Sequence, residues 1–402
     1  MGIKNLHSFL KKTCPYVYYE CPLSDFAFKK IAIDTSIFVC KFKTIAGIQW
    51  QDAFFQFIIK LRSLDIHPIF IFDTTFPVEK DFEKQQRIDA RNRIKEKILT
   101  LELSWSMFCQ CFSPTGDTSI DVSNELNRTL QTLNLNSNSV DCDWKWEHHT
   151  EFQKFLQKVV ISEKELTISI IEKEMEKIRN ACFVIRTEDF LWIKELLKIL
   201  GIPFFQAIGE AEATCAVLNK RELVDAVLSE DTDVLAYGAP LFLHKINFPN
   251  MTVQCIQYES VLTALQLLPS QFLDFCILCG TDYNTNIPKI GPEKSFRFIK
   301  KCGNIEEIEQ HYPKLDTSIL NYKRVRELLD NTFDVSQFII PFCSLPNRER
   351  LQHFAFQHNL PLDWTMINET FFRSSYIEYP KEWTMHRSNS RGITVASLLR
   401  SV

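Results

Sequence analysis

The chain has no hydrophobic run of about eighteen residues, the length that spans a bilayer as a helix, so no membrane-spanning helix is expected. Its opening "MGIKNLHSFL" lacks the apolar core and cleavage site of a secretory signal, and Leu6 stands where a myristoylation motif carries Ser or Thr. There is no internal repeat. Glycine is scarce, 10 residues against 33 Phe in 402, which reads as compositional bias rather than function. The 13 cysteines follow no frame, and their count is odd. Without a signal peptide they are expected to be mostly buried thiols in a reducing compartment. "CILC" (Cys276, Cys279) has no second pair and sits in an apolar, helix-like run, so core packing accounts for it. The net charge of −4 gives no sign of a basic nucleic-acid binder, but a whole-chain sum hides segregated charge.

Four short apolar runs each end in an acid: "KKIAIDTS" (29–36), "HPIFIFDTT" (67–75), "GIPFFQAIGE" (201–210) and "VDAVLSED" (224–231). Helical periodicity fills the intervals, as in 50–64 and 190–200. Strands alternating with helices predict an α/β fold, a mostly parallel twisted sheet flanked by helices. Ligands of such sheets bind beyond the carboxyl ends of the strands, so the acids converge on one edge. "GEAEA" and "SEDTD" are expected at the ends of adjacent strands.

Asp34, Asp73, Glu210, Glu212, Asp231, Asp233 and Asp282 make seven candidate acids. Two bare carboxylates 4 Å apart repel by about 1 kcal/mol in water and about 4 kcal/mol at a dielectric of 20. Seven together require cations. No His or Cys accompanies them, so hard divalent ions fit, Mg²⁺ or Mn²⁺ acting on phosphate. Asp231 and Asp233, if still extended, point to one side of a strand. Glu210 and Glu212 lie where a helix begins, so they diverge, and one of them is expected to act through water.

Basic residues collect in two places. Lys80, Lys84, Arg87 and Arg91, spaced 4, 3 and 4, form one helical stripe starting seven residues after Asp73, suited either to gripping phosphate or to ordinary i,i+4 pairing with the interleaved acids. "NIPKIGPEKSFRFIKK" (286–301) reads as helix, short Gly-Pro turn, helix, able to hold duplex backbone without reading sequence.

In this order, "MGIKNL", "IAIDTS", "FIFD", "GEAEATCAVL", "SEDTDVLAYG", "CGTDY" and "IGPEKSFRFI" resemble the flap endonuclease/xeroderma-group-G family of structure-specific 5′ nucleases. The resemblance covers roughly residues 1–95 and 183–310, with fainter similarity to about 360. It implies a nuclease core of PIN-like type at 1–95 and 183–310, a helical arch or insertion at 96–182, a helix–two-turn–helix at about 274–301, and a C-terminal extension, 311–402, packed on the core. It also implies two Mg²⁺ per chain, with Mn²⁺ able to substitute. Asp34, Asp73, Glu210 and Glu212 would serve the first ion, and Asp231, Asp233 and Asp282 the second, with Asp231 shared. Lys80 and Arg87 would stabilise charge on the scissile phosphate. Gly2 would approach the substrate after loss of Met1, Lys84, Arg91, Lys289, Gly291, Lys294 and Arg297 would bind DNA, and carbonyls at Asn286, Ile287 and Ile290 would hold K⁺.

The implied substrate is branched or 5′-flapped duplex DNA in replication, recombination or repair. A monomer in the nucleus, or at a viral replication site, is expected. An RNA-directed nuclease and a non-catalytic scaffold are the alternatives. Sliding-clamp binding is not expected, since "TMINETFF" (365–372) has paired aromatics but neither the Gln nor the aliphatic residue. Cys40 stands where the family places a stacking aromatic, for which Phe38 or Phe42 would substitute. Lys289 replaces the first hairpin glycine, and Thr74-Thr75-Phe76-Pro77 replaces Gly-Lys-Pro-Pro. Residues 117–140 read as a loop flanked by charged helices at 79–103 and 151–180, and 339–360 as one packed helix in an otherwise irregular tail. Cys109, Cys111, Cys142, His148 and His149 fit no standard zinc spacing, so zinc is not expected.

Overall fold

The computed structural model describes residues 2–112, 149–162, 168–330 and 339–372. One mixed sheet of seven strands runs in the order β1 (Tyr18–Pro22), β7 (Thr252–Gln257), β6 (Leu241–Asn247), β5 (Ala226–Leu228), β2 (Lys30–Asp34), β3 (His67–Phe72), β4 (Phe204–Gln206). The run from β6 to β4 is parallel, while β7 pairs antiparallel with both β6 and β1. The chain builds outward from β2 to β3 and β4, then returns to place β5 on the other side of β2. That reversal is the switch point where an open α/β sheet binds ligands. It also corrects one expectation. The strands preceding "GEAEA" and "SEDTD" are β4 and β5, and β2 and β3 stand between them.

Alternation along the strands sorts the core onto two faces. Ala32, Ile69, Ile71 and Val227 pack on one side with α1 (Leu6–Thr13), α8 (Ala211–Lys220), α10 (Tyr258–Leu265) and α11 (Pro269–Cys279). Ile31, Ile33, Phe70, Phe72 and Leu228 pack on the other with α2 (Thr35–Ala46), α3 (Trp50–Ser63) and α7 (Thr187–Ile199). Both Phe38 and Phe42 belong to that second face. Phe38 is buried and stacks on Phe57 at 4.8 Å, and Phe42 meets Phe54 and Phe57 at 5.9 and 5.4 Å. Phe38 is thus committed to the core, Phe42 packs partly buried against it, and Cys40 is exposed beside them. Cys14, Cys215, Cys276 and Cys279 are buried free thiols, whereas Cys21 and Cys255 pair across β1 and β7.

Beyond the sheet, α4 (Asp81–Phe112), α5 (Thr150–Ser162) and α6 (Ile168–Asn180) share a small core of their own, with Leu101, Phe108, Phe152, Leu156 and Ile171 inside. The expected loop at 117–140, together with Cys142 and His148, lies outside the described residues, as does the side chain of Cys111. The expected helical hairpin is longer than a short turn. Gly280 ends α11 at φ 97, and Pro292 opens α12 (Pro292–Cys302), leaving 280–291 as a connection that carries Asp282. After it come α13 (Ile305–His311) and, in the described part of the tail, α14 (Tyr322–Leu329), α15 (Arg348–His358) and α16 (Trp364–Phe371), two more helices than the one expected there. Caps explain the last two. Asn347 accepts from the Arg350 N–H, and Asp363 from those of Thr365 and Met366. The "TMINETFF" segment is thus largely helix, with Ile367 and Phe371 buried in the core.

Candidate metal centre

Each strand or turn delivers its acid by a local device. Asp34 ends β2 and caps α2, its Oδ1 accepting from the N–H of Ser36 at 3.0 Å and of Ile37 at 3.4 Å. Asp73 follows β3. Its carboxylate accepts from the Ser36 hydroxyl and, at 2.8 Å, from the Ala211 N–H at the start of α8. Thr74, which departs from the family pattern, stitches β3 to the turn before Glu210. Its hydroxyl donates to the Ala207 carbonyl at 2.9 Å and accepts from the Gly209 N–H at 3.1 Å. Asp231 lies three residues beyond β5 and accepts from the Asp233 N–H at 3.1 Å. Asp233 opens the one-turn helix α9 (Asp233–Ala236), so the pair is not extended as the strand argument supposed.

Carboxylate oxygens of Glu212, Asp231 and Asp233 lie within 4.8 Å of one another, and all three residues are buried. Both oxygens of Asp233 are buried with no hydrogen-bond partner. Burial, then the repulsion of Asp34 and Asp231, pushes the Glu212 carboxyl well above the usual range. Burial, then Asp231 and Asp282, does the same to Asp233. Burial also raises Asp231, and burial with Asp73 and Asp231 nearby raises Asp34 to about 8. Acceptor-only groups left orphaned and mutually repelling in a buried cluster suit a hard divalent cation and little else.

Glu210 occupies the N-cap position of α8 and Glu212 its first turn, and both carboxylates face Lys80 Nζ, at 3.0 and 3.8 Å. Glu210 caps α8 and accepts at Oε2 from Lys80 Nζ at 3.0 Å and from the Tyr283 hydroxyl at 2.8 Å, outside the trio. Lys80 is buried and also faces Asp282 at 3.4 Å and Glu212 at 3.8 Å. Burial alone would lower its pKa, but Glu212, Glu210, Asp282 and Asp233 together raise it above the usual lysine value. Arg87 donates to Asp282 at 2.6 Å and to Glu83 at 3.0 Å. The other two cations of the stripe do not join the cage: Lys84 lies 4.1 Å over the Phe76 ring and pairs with Asp81, and Arg91 follows one turn beyond Arg87 on α4.

Gly2 comes closer than the sequence alone could show. Its φ is 80, and a Cβ there would lie 1.9 Å from Asp231 Oδ1 and 2.7 Å from Asp233 Oδ1, so no larger residue fits. At the hairpin, Lys289, Lys294 and Arg297 are exposed around Gly291, the residue preceding α12. Lys289 keeps the left-handed backbone of a glycine, φ 65, and its carbonyl accepts from Lys294 Nζ at 3.0 Å. Of the candidate K⁺ carbonyls, that of Ile290 accepts from Asn286 Nδ2 and that of Ile287 from the Ile290 N–H, both at 3.0 Å. Residue-by-residue reading missed Tyr237 and Tyr283, whose hydroxyls bond at 2.5 Å, Tyr283 alone donating to Glu210; the only sequence signal was the Tyr directly after Asp282.

Residues 1–94 match the XPG N-terminal domain and 201–282 the XPG I-region. A probable RAD2-like endonuclease of Invertebrate iridescent virus 6 is 32% identical over 406 residues, covering 92% of each chain. This chain belongs to the XPG/flap endonuclease family. Flap endonuclease 1 of Heterostelium pallidum is 30% identical, over 82% of this chain and 74% of its own. Among solved structures, the catalytic core of Rad2 in complex with DNA substrate superposes with a TM-score of 0.54 at 18% identity, covering 91% of this chain and 99% of that one. Flap endonuclease-1 from Methanococcus jannaschii gives 0.52 at 18%, covering 89% and 96%. Both support the family's α/β nuclease fold. A metal-dependent family accounts for an acid cluster that would otherwise only destabilise the chain.

The buried charges fix a pH dependence. Asp34, raised to about 8, holds a proton in the folded chain at pH values where the unfolded chain has lost it, so stability falls as pH rises toward 8. His7, His67 and His244 act oppositely. Burial, aided by Lys245, Arg62 and His7 respectively, lowers them to about 4, 3 and 3. Their contribution is complete above about pH 6.5 and is lost as pH falls below it. Between 6.5 and 8 only the carboxylates act. Metal-free protein should therefore melt at a lower temperature at pH 8 than at pH 6.5, and saturating Mg²⁺ should remove the difference. Calorimetry in chelator checks the sign.

Proposed function

We propose that this nuclease hydrolyses DNA at 5′ flaps and related branched junctions, endonucleolytically and from 5′ ends, with two divalent ions per chain. The reading rests above all on the trio Glu212, Asp231 and Asp233, converging beside Lys80 with both Asp233 oxygens orphaned. Mg²⁺, or Mn²⁺ in its place, suits the donor set, with Asp34, Asp73, Glu210 and Glu212 serving one ion and Asp231, Asp233 and Asp282 the other. The chemistry such ions supply is acidification of a water and neutralisation of charge at the leaving oxygen. The chain's own residues do the rest. Lys80 and Arg87, now paired with Glu210 and Asp282, supply positive charge to the scissile phosphate. Glu210, turned toward Lys80 and Tyr283, acts through water and orients the ammonium. Gly2, the residue whose missing Cβ lets the N-terminal backbone lie against Asp231 and Asp233, is a candidate substrate contact. Lys289, Gly291, Lys294 and Arg297 grip duplex backbone, with Lys84 and Arg91 along the arch, and carbonyls near Asn286, Ile287 and Ile290 are a candidate K⁺ site.

A scaffold without catalysis has no use for seven buried or edge acids at one site, and nothing observed favours RNA. The relatives include viral and eukaryotic nucleases, which fits a nuclear or viral replication site. The test is a panel of labelled 5′ flap, nick, gap, four-way junction and single-stranded RNA, each with Mg²⁺ and with chelator. Incision near the flap junction only with Mg²⁺ is expected. Faster cleavage of RNA than of any branched DNA would overturn the substrate assignment.

A further inference from the structure

Two arginines on α14 face in different directions, as residues two apart on a helix must. Arg326 clamps α14 to the hairpin. Its Nε and one terminal nitrogen donate to both oxygens of Asp274 on α11, each at 2.6 Å, and its terminal nitrogens also reach Glu306 on α13 at 2.6 and 2.8 Å. Asp274 is buried and in addition accepts from the Ile305 N–H at 3.1 Å, so α11, α13 and α14 form one rigid unit. Arg324 points the other way. Its Nε donates to Glu79 Oε1 at 2.8 Å, and its Nη1 to Glu327 Oε2 at 3.1 Å on its own helix.

Glu79 is not an ordinary surface acid. Its side chain is 16% exposed, its Oε2 is buried with no partner, and it immediately precedes Lys80 in the tight turn Val78–Lys80 at the root of α4. Arg324 holds its carboxyl below the usual range by hydrogen bonding. Most exposed ion pairs contribute little. This one ties the root of α4 to α14, adding to the direct pairs that Lys80 and Arg87 make with Asp282 on the 280–291 connection, and one end of it adjoins a buried cation of the cage.

We propose that Arg324 is a positioning residue that locks the root of the arch, and with it Lys80, to the duplex-gripping hairpin. Resting on the nuclease reading above, this makes the placement of Lys80 depend on where the hairpin unit sits. Cleavage then becomes sensitive to how duplex is held some distance away. A displacement of a catalytic group by about 1 Å costs up to about 100-fold in rate, so a loosened root needs no lost contact at the cage to be felt.

The test uses the full chain with Arg324→Ala, Glu79→Gln, and the exchange Glu79→Arg with Arg324→Glu. Single-turnover flap cleavage, duplex affinity by anisotropy and hydrogen exchange over 76–90 are measured together. The expected result is a loss of about tenfold in single-turnover rate for either single variant, duplex affinity unchanged, faster exchange over 76–90 without DNA, and recovery of most of the rate in the exchange variant. Unchanged exchange together with an unchanged rate overturns the lock, as does an equal fall in rate and affinity. If the parent protein cuts no flap while Arg324→Ala still loosens 76–90, the nuclease reading fails and the lock stands.

Discussion

Replacing Asp233 with Ala should slow flap cleavage by about 1,000-fold, because loss of a metal ligand forfeits several kcal/mol of transition-state stabilisation and each 1.36 kcal/mol is tenfold. The same change should make the metal-free protein more stable. Asp233 is fully buried, both of its oxygens lack partners, and burial with Asp231 and Asp282 nearby disfavours its charge. Removing it, or neutralising it as Asn, relieves repulsion that only metal otherwise compensates. Melting in chelator should therefore rise for the variant, while the increase on adding Mg²⁺ shrinks. Opposite signs for stability and activity mark a group kept for function rather than folding. A variant that loses stability in chelator and activity in parallel would instead mark Asp233 as structural.

Lys80→Ala should cost about 100- to 1,000-fold in the single-turnover rate, the range seen when one preorganised donor is removed from a transition state. Its ammonium is buried among Glu210, Glu212 and Asp282, a position no other described cation fills. Of the cage acids Arg87 pairs only with Asp282, and it is partly exposed, so Arg87→Ala should cost less. Lys84→Ala should cost less again, since Lys84 lies over Phe76 and pairs with Asp81. The ordering Lys80, Arg87, Lys84, measured under single turnover with saturating enzyme, checks the geometry. A Lys84 loss equal to that of Lys80 would contradict it.

The strand ends were legible because the signal is local: a β-rich run closing on an acid reads the same whatever its neighbours. Asp34, Asp73, Glu210 and Asp231 could therefore be named as strand-end acids before the structure was seen. Strand order was not legible, since β5 joins β2 through a crossover that no local pattern encodes, and "GEAEA" and "SEDTD" turned out to have β2 and β3 between them. Glu210 stays outside the trio of Glu212, Asp231 and Asp233, and its partner Tyr283 comes from a connection seventy-three residues away. A stripe spaced 4, 3 and 4 could not say which cation enters the cage. That depends on the turn Val78–Lys80, which buries Lys80 while α4 carries Lys84 outward. That Phe38 and Phe42 pack on α3 could not be read from their numbers, since no spacing says which face of α2 turns inward. Arg324 and Glu79 lie 245 positions apart, beyond any spacing argument.

The central claim is that these acids form a cage for divalent ions, and its most direct test is a titration of metal-free protein with Mn²⁺, followed by calorimetry and by the electron-spin signal of free ion. Two Mn²⁺ bound per chain, with at least one site lost in Asp233→Ala and in Glu212→Gln, is the predicted result. Binding that is absent, or unchanged by both substitutions, would contradict the account.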